Sequence, residues 1–206
     1  MTPALHAPPR PSDASMTAWA LAARDGDHDA VDHLVRAVHR DIRRYVAYLA
    51  DDPQATDDLT QDTLLRALGS LSRFEGRSSV RTWMLTIARR VVADSIRRAA
   101  ARPRLADRED WQLLAEQRQD GTLTPVEDLV VLRELLGALS AERRKAFLLT
   151  QVLGLPYEEA AAVCACPVGT VRSRVARARS CLAALLDEPA SGGPGAQDPG
   201  CGPGAR

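Results

Sequence analysis

The chain has 206 residues, of which 45% are hydrophobic and 4% aromatic, and its 27 basic and 27 acidic residues give a formal net charge of zero. This length can bury one or two small cores, and the absence of any run of eighteen apolar residues excludes a membrane-spanning helix. Prolines interrupt the first fifteen residues where a signal peptide needs its apolar stretch, so we expect a cytoplasmic protein.

The zero net charge hides two blocks of opposite sign. Residues 25–62 contain ten acids and four bases, whereas residues 73–104 contain nine bases and two acids. Such blocks predict two surfaces that face different partners.

Metal-binding and catalytic patterns are missing. Asp25, Asp27 and Asp29 have the spacing of the first ligands of a calcium loop, but Ala30 and Arg36 replace its glycine and its glutamate. The histidines lack the i, i+4 spacing of helical zinc sites, and the four cysteines form no CxxC pair. We therefore predict no metal, no cofactor and no catalytic residues.

We predict that the N-terminal half is helical and that it follows a disordered tail at residues 1–15. Apolar residues follow a 3.6-residue period from Ala18 to Leu49, with an interruption at Gly26. A second amphipathic helix runs from near Pro53 to about Leu71 and contains "DDLTQDTLLRAL". On that helix we expect an apolar face opposite a polar one, namely Leu64, Leu65 and Leu68 against Asp58, Gln61 and Asp62.

The segment "RFEGRSSVRTWMLTIARRVVADSIRR" predicts a turn at residues 75–79 followed by a long helix. Its predicted core line is Val80, Trp83, Ile87, Val91 and Ile96, and we expect Trp83 to pack in the core rather than stack on a base. The other faces are basic and carry Arg81, Arg89, Arg90, Arg97 and Arg98. A polar loop that displays Arg77, Ser78 and Ser79 would grip an unpaired base while arginines hold the backbone.

A linker and a second helical domain follow. Residues 103–128 contain seven acids and three bases with weak periodicity, which is typical of a flexible acidic linker. Thr124, Pro125 and Glu127 form a capping box that starts the second domain. Residues 187–206 are rich in glycine and proline and read as a second disordered tail.

Two closely joined helices near the end predict a helix-turn-helix. "LPYEEAAAVCA" leads through Pro167 into "CPVGTVRSRVARARSCL", whose apolar stripe is Val168, Val171, Val175, Ala178 and Leu182. The opposite face carries Gly169, Ser173, Ala176, Arg177 and Ser180, flanked by Thr170, Arg172 and Arg174. A solvated basic face is the simple alternative, but the preceding helix favours contact with a DNA major groove.

Three of these segments, in this order, resemble the extracytoplasmic-function group of bacterial RNA polymerase sigma factors. "DDLTQDTLLRAL" is similar to the polymerase-binding helix of that family, "FEGRSSVRTWMLTIARRVVADSIRR" to its promoter-melting segment, and "LPYEEAAAVCACPVGTVRSRVARARSCL" to its minus-35 reader. The resemblance covers residues 16–186. It implies an all-α fold of two small helical domains, sigma2-like (16–102) and sigma4-like (125–186), joined by a flexible acidic linker (103–124).

The resemblance also implies a non-enzymatic sigma factor with assigned surfaces. Core RNA polymerase would be bound through its beta-prime clamp and beta flap, with Asp58, Gln61, Asp62 and Arg66 as the polymerase-binding residues. The minus-10 element would be bound by Phe74, Arg77, Ser78, Ser79, Arg81, Arg89, Arg90, Arg97 and Arg98. The minus-35 element would be read by Thr170, Arg172, Ser173, Arg174, Ala176 and Arg177. An anti-sigma factor is a further candidate partner.

Two positions depart from the family pattern. Arg90 stands where asparagine is usual, and Ala165 stands where the helix-turn-helix usually has glycine, so that a left-handed Ala165 would cost roughly 1 kcal/mol.

Two other classes of protein stay open at this point. A stand-alone repressor would need a dimer interface. A nuclease would need a general base or a complete set of metal ligands among the aspartates at 51–62. The dependence of specific DNA binding on core polymerase and the oligomeric state of the free chain distinguish these classes.

Overall fold

The computed structural model describes residues 11–50, 52–101 and 135–187, and the regular structure in these residues is all helical. The first part contains α1 (Asp13–Arg24), α2 (His28–Leu49), α3 (Ala55–Gly69), a 3₁₀ turn (Leu71–Arg73) and α4 (Val80–Ala101). The second part contains α5 (Ala141–Phe147), a π-helical turn (Leu148–Val152), α6 (Tyr157–Cys164) and α7 (Val168–Asp187). The predicted all-α class is confirmed.

Helix α1 begins inside the stretch predicted to be a disordered tail. Asp13 is its first residue, and the Oγ atom of Ser12 accepts a hydrogen bond from the Ser15 amide at 3.0 Å. This bond satisfies one of the amides that a helix start leaves free. The predicted linker, the capping box at Thr124 and the tail beyond residue 187 lie outside the described residues.

The turn between α1 and α2 interrupts the long apolar period where expected. Gly26 has φ +103°, and the side chain of Asp27 caps α2 by accepting a hydrogen bond from the Ala30 amide at 3.0 Å. Helix α2 then buries the predicted stripe, including Leu34, Val38 and Ile42. Periodicity alone therefore identified the core face of this helix.

The core faces of α3 and α4 differ from the prediction. Leu65 on α3 is 62% exposed, while Thr60 and Thr63 are buried with their hydroxyls donating to backbone carbonyls four residues earlier. On α4, Ile96 is 39% exposed and Met84, Leu85, Ala88 and Val92 are buried beside the predicted Val80 and Val91. The reason is that the first half of α4 is covered on several sides, whereas its last turns extend past the neighbouring helices.

The predicted helix-turn-helix is present. Ala165, between α6 and α7, has φ 53° and ψ 47°, the left-handed conformation that an alanine adopts at a small energetic cost. Val171, Val175, Ala178 and Leu182 of the predicted stripe are buried, with Val168 packed at its edge. Burial raises the pKa of the Cys164 thiol to about 11, which fits the predicted core role of this residue.

The two parts of the chain share one continuous core. Helix α4 packs against α6, and apolar residues from both parts form a single buried cluster. Within this interface the buried Arg81 guanidinium forms an ion pair with Asp41 of α2, with 2.6 Å between Nε and Oδ2, and donates to the carbonyl of Leu153 after the π-helical turn. One side chain thus joins three segments.

Candidate protein and nucleic-acid interfaces

The acidic face of α3 is only partly available to a partner. Asp58 and Gln61 are exposed, whereas Asp62 accepts two hydrogen bonds from Arg66, at 2.8 and 2.9 Å. This pairing partly neutralises Asp62 and turns Arg66 back along the helix. Leu65 adds exposed apolar surface to the same helix, so this face combines two exposed polar side chains with an exposed apolar one.

A glycine turn presents the loop at residues 74–79. Gly76 has φ +72°, which allows the chain to reverse in front of α4. Phe74 is buried and its ring lies 5.1 Å from the ring of Trp83, so Phe74 anchors the loop rather than forming part of its surface. Trp83 therefore packs as the sequence predicted, and the predicted DNA contact by Phe74 is corrected to a supporting role.

The exposed part of this loop is small and polar. Arg77 and Ser78 face solvent, and Arg77 forms an ion pair with Glu75. Ser79 is the N-terminal cap of α4, because its Oγ accepts a hydrogen bond from the Thr82 amide at 3.2 Å. The start of α4 is further held by Thr17 of α1, whose hydroxyl accepts from the Val80 amide at 3.1 Å. The loop is thus fixed at both ends.

The predicted minus-10 arginines of α4 divide into two groups. Arg81 is buried. Arg89 is half-buried, and its charge helps to lower the pKa of Glu142 on α5. Arg90, Arg97 and Arg98 are exposed on the opposite side of the helix. As the chain is folded here, only the second group is open to DNA, and the predicted role of Arg81 is corrected to that of a buried structural ion pair.

The first helix of the helix-turn-helix covers the start of α4. The carboxylate of Glu159 accepts hydrogen bonds from Ser79, with 3.1 Å between Oγ and Oε2, and from the hydroxyl of Thr82. A charged acceptor makes these bonds stronger than bonds between neutral groups. Ser79, predicted to hold a promoter base, is therefore occupied by a side chain of the second domain.

Beside the shared apolar core, the interface between the two parts also contains polar groups. Burial opposes ionisation of Glu142, but a hydrogen bond from Lys145 and the charges of Lys145, Arg174 and Arg89 lower its pKa below the ordinary value. Within the described residues, the Tyr45 hydroxyl and Arg89 Nε are buried without a hydrogen-bond partner. The interface between the parts is therefore mixed, with apolar packing and a few buried polar groups.

Helix α7 presents most, but not all, of its predicted DNA-reading residues. Arg172, Ser173, Ala176 and Arg177 are exposed and Thr170 is half-buried. Arg172 lies 5.8 Å from the Tyr157 ring centroid and 3.9 Å from Glu158.

Arg174 is different, because it is folded back toward the protein. It forms an ion pair with Glu142 at 3.1 Å and a contact with Cys166 Sγ at 3.4 Å, which takes its guanidinium away from the exposed face. Arg177 is exposed and makes no ion pair or side-chain hydrogen bond with the described residues.

Sequence reasoning missed the acidic residues that occupy these basic surfaces. They are Asp41, Asp94, Glu142 and Glu159. Glu159 lies in the first turn of α6, and nothing in the local pattern links it to a serine eighty positions earlier. The one signal that could have indicated such pairing was an acidic residue on an otherwise apolar or basic helix face, as at Asp41 and Asp94.

Neither a metal site nor a membrane span emerges from the described part of the chain. Within residues 11–50, 52–101 and 135–187, acidic, histidine and cysteine side chains form no group of three or more suited to an ion. None of the described helices is both long and apolar enough to cross a bilayer.

Comparisons with known proteins point in one direction. The chain matches the family models Sigma-70 region 2 over residues 34–102 and Sigma-70, region 4 over residues 129–182. It is 49% identical over 174 residues to the ECF RNA polymerase sigma factor SigC of Mycobacterium tuberculosis, covering 84% of this chain and 91% of the relative. It is 36% identical over 145 residues to the ECF RNA polymerase sigma factor EcfG of Rhodopseudomonas palustris, covering 70% and 78%.

Solved structures agree with the sequence relatives. The sigma factor RpoE, in complex with the anti-sigma factor NepR from Bartonella quintana, is 30% identical with a TM-score of 0.61, covering 76% of this chain and 96% of that one. CnrH, in complex with the cytosolic domain of CnrY, is 26% identical with a TM-score of 0.65, covering 84% and 97%. The chain therefore belongs to the extracytoplasmic-function sigma factors, a family that provides promoter-specific initiation of transcription by RNA polymerase.

Proposed function

We propose that this protein binds core RNA polymerase through α3, reads the minus-35 element with α7, and reads and helps to melt the minus-10 element with the loop at residues 74–79 and α4. The observation that carries the proposal is the order of three distinct surfaces in one chain. An acidic helix, a polar loop before a basic helix, and a helix-turn-helix follow one another. The functional units would be residues 16–102 and 125–186.

The polymerase contact would use the acidic side of α3. Asp58 and Gln61 are free to meet a basic partner such as the beta-prime clamp, and exposed Leu65 would supply apolar contact area at the centre. Asp62 and Arg66 hold each other and would act as a pair rather than as two separate charges. The second domain would meet the beta flap.

The minus-10 contact would combine base capture with backbone binding. Arg77, Ser78 and Ser79 lie on a loop fixed by Phe74 and by the start of α4, a geometry suited to holding a base that has left the stack. Exposed Arg90, Arg97 and Arg98 would hold the phosphates along the same helix. In this way unstacking, which costs a few kcal/mol, is offset by new contacts.

The minus-35 contact would use the exposed face of α7. Small Ser173 and Ala176 allow the helix to approach the base edges, and Arg177 beside them can donate two hydrogen bonds to a guanine. Arg172 would position the helix on the backbone from its edge, and Thr170 would do the same near the helix start. Arg174 contributes only if its ion pair with Glu142 opens.

Reading both elements would require the two parts of the chain to separate. Promoter elements centred about 25 base pairs apart lie about 85 Å apart along the DNA axis, at 3.4 Å per base pair. Ser79 and Glu159 lie 3.1 Å apart, so the folded arrangement described above does not reach both elements. Polymerase binding would hold the parts apart, and it would have to offset the loss of the contacts between them, including those of Glu159 with Ser79 and Thr82.

An anti-sigma factor is the further partner that we propose. Two structural relatives are solved in complexes, RpoE with the anti-sigma factor NepR and CnrH with the cytosolic domain of CnrY. Their similarity to this chain supports a regulator of the same kind. We also infer a cytoplasmic location, because that is where core polymerase and promoter DNA are found.

Transcription in vitro over a library of random promoter sequences tests the proposal. With core polymerase and this protein we expect transcripts from templates that share two short motifs at a constant spacing, and none with core polymerase alone. Polymerase-independent binding of a palindrome by a dimer would instead favour the repressor alternative.

A variant pair separates polymerase binding from folding. Asp58→Lys with Asp62→Lys should abolish co-purification with core polymerase at unchanged helical content. The matched reversal of exposed Asp29 and Asp32 on α2 should not. Normal co-purification by the folded α3 variant would contradict the assigned clamp surface.

A further inference from the structure

Helix α1 lies beside the loop at residues 74–79, which we call the capture loop. It packs against α2, against α4 and against the 3₁₀ turn that precedes this loop. Its residues Asp13–Arg24 come before the segment that matches Sigma-70 region 2, which begins at residue 34. The match therefore gives α1 no role, and its contacts have to be considered by themselves.

One face of α1 holds both ends of the capture loop. Thr17, Leu21 and Arg24 are four and three positions apart, so they lie on the same side of the helix. The Thr17 hydroxyl accepts a hydrogen bond from the Val80 amide at 3.1 Å, directly after the loop. Arg24 Nη1 donates to the Phe74 carbonyl at 3.3 Å, at the start of the loop.

Leu21 supports the turn between these two ends. A Cβ atom at Gly76 would lie 3.7 Å from Cδ2 of Leu21 and 3.8 Å from its Cδ1, which is ordinary van der Waals contact. The half-buried Leu21 side chain therefore lies on the side of Gly76 to which a side chain would point. Contact with α1 thus continues from one end of the loop to the other.

The capture loop has few restraints from its own backbone. At its ends the Phe74 amide donates to the Leu71 carbonyl at 2.9 Å, and the Ser79 carbonyl accepts from the Trp83 amide at 3.1 Å. Between them, residues 75–78 form no backbone–backbone hydrogen bond with any residue that the structure describes. The contacts with α1 therefore supply restraints that a helix or a strand would obtain from its own backbone.

Asp25 orients the guanidinium that holds Phe74. Its carboxylate accepts from Nε of Arg24 at 2.9 Å and from Nη2 at 3.3 Å, while Nη1 is directed at the Phe74 carbonyl. The hydrogen bond from Arg24 lowers the pKa of Asp25 below its ordinary value, and the hydrogen bond to Asp25 raises the pKa of Arg24. Both groups are therefore charged at neutral pH, and a charged donor forms a stronger bond to the carbonyl than a neutral one.

We propose that Arg24 is a positioning residue for the minus-10 element, because it holds the Phe74 carbonyl while Thr17 and Leu21 hold the rest of the capture loop in the shape that accepts a base. The inference rests on the proposed function and extends the minus-10 site to α1. Arg24 acts through the backbone of the loop rather than by touching the base. Its loss should therefore weaken discrimination between bases more than it weakens overall binding to the promoter.

Discrimination at the captured position tests the proposal. The holoenzyme of core polymerase and the full chain transcribes from its best library promoter, with each of the four bases placed in turn at every minus-10 position. At each position, the ratio of output between the preferred and the least preferred base measures discrimination. We expect Arg24→Gln to lower this ratio about threefold to tenfold at the captured base, the range expected for the loss of one hydrogen bond, with minus-35 preferences unchanged.

Three further variants make the result specific. Arg36→Gln removes an exposed arginine of α2 that pairs with Asp32 instead, so it should leave the ratio unchanged. Asp25→Asn weakens the orientation of Arg24 and should lower the ratio by a smaller factor. Arg24→Lys keeps a charged donor and should retain more discrimination than Arg24→Gln. Because Arg24 is exposed, the midpoint of urea unfolding and the affinity for polymerase should stay the same in all four variants.

The outcomes separate this inference from the proposed function. An unchanged ratio in Arg24→Gln, with a reduced ratio when Arg77 and Ser78 are replaced by alanine, would overturn the positioning role and leave the loop as the base-capture site. A uniform loss of output in Arg24→Gln for every minus-10 base, or a lower unfolding midpoint, would also overturn the positioning role. Unchanged ratios in the variants of Arg24 and of the loop alike would overturn both proposals.

Discussion

The hydroxyl of Ser79 and the carboxylate of Glu159 lie 3.1 Å apart, although eighty positions separate them in the chain. Ser79 belongs to the loop proposed to capture a promoter base, and Glu159 belongs to the first helix of the helix-turn-helix. A hydrogen bond to a charged group contributes about 1.5–3 kcal/mol, enough to change the population of a closed arrangement about tenfold or more. The two parts that we propose to read DNA therefore restrain each other in the folded chain.

Removal of this contact should open the chain. We expect Glu159→Ala to increase the affinity of the free protein for a single-stranded minus-10 oligonucleotide about threefold to tenfold, measured by fluorescence anisotropy. Glu158→Ala is the matched control, because its carboxylate is exposed and lies near Arg172 instead. Equal affinities for the two variants would mean that Glu159 does not restrict access to the loop.

The buried ion pair of Arg81 and Asp41 should be important for stability. Asp41→Asn leaves the Arg81 charge buried without its counter-ion, and such a loss typically costs about 3–5 kcal/mol of unfolding free energy. The exposed pair of Arg43 and Asp57 provides the comparison, because breaking it with Arg43→Ala should cost less than about 1 kcal/mol. Urea unfolding followed by circular dichroism measures both, and similar midpoints would contradict the structural role of Arg81.

The capture loop should matter more for melting than for docking. Replacement of Arg77, Ser78 and Ser79 by alanine should weaken transcription from a duplex promoter much more than from a promoter opened by mismatches, because only the duplex requires a base to leave the stack. Ser79 also caps α4, so a variant with only Arg77 and Ser78 replaced, which keeps this cap, separates base capture by the exposed residues from loss of the cap. Equal losses on both templates would reduce the loop to a docking element.

Two arginines of α7 should have different effects on promoter choice. Arg177 is exposed beside Ser173 and Ala176, so Arg177→Ala should relax the preference at one or two minus-35 positions, worth about 1–3 kcal/mol of discrimination. Arg179 donates a hydrogen bond to Gln151 of the π-helical turn, so Arg179→Ala should lower output for all sequences alike. Library transcription with each variant decides the matter, and a uniform loss for Arg177→Ala would show that the groove-facing surface was assigned wrongly.

Some elements were predictable because their signal is local. The stripe of α7 and the break at Gly26 each follow from residues within one or two turns. The left-handed Ala165 was implied only by the resemblance to the family, because alanine itself disfavours that conformation. The core lines of α3 and α4 were less accurate, because Leu65 and Ile96 have helical spacing that fits a core but no helix covers them. Whether an apolar residue is buried depends on its neighbours in space.

The sequence by itself determined the all-helical class, the helix-turn-helix and the set of basic and acidic surfaces. The reason is that helical periodicity and charge depend only on residues that are close together in the sequence. Only the tertiary structure decided which charged groups stay free. Arg81 pairs with Asp41, Arg174 with Glu142 and Arg97 with Asp94, while Arg177 and the terminal nitrogens of Arg98 have no partner among the described residues. The pairs of Arg81 and Arg174 form between segments more than thirty positions apart, and the energy of a charge in a protein depends on its distance to other charges and on burial, which no local pattern contains.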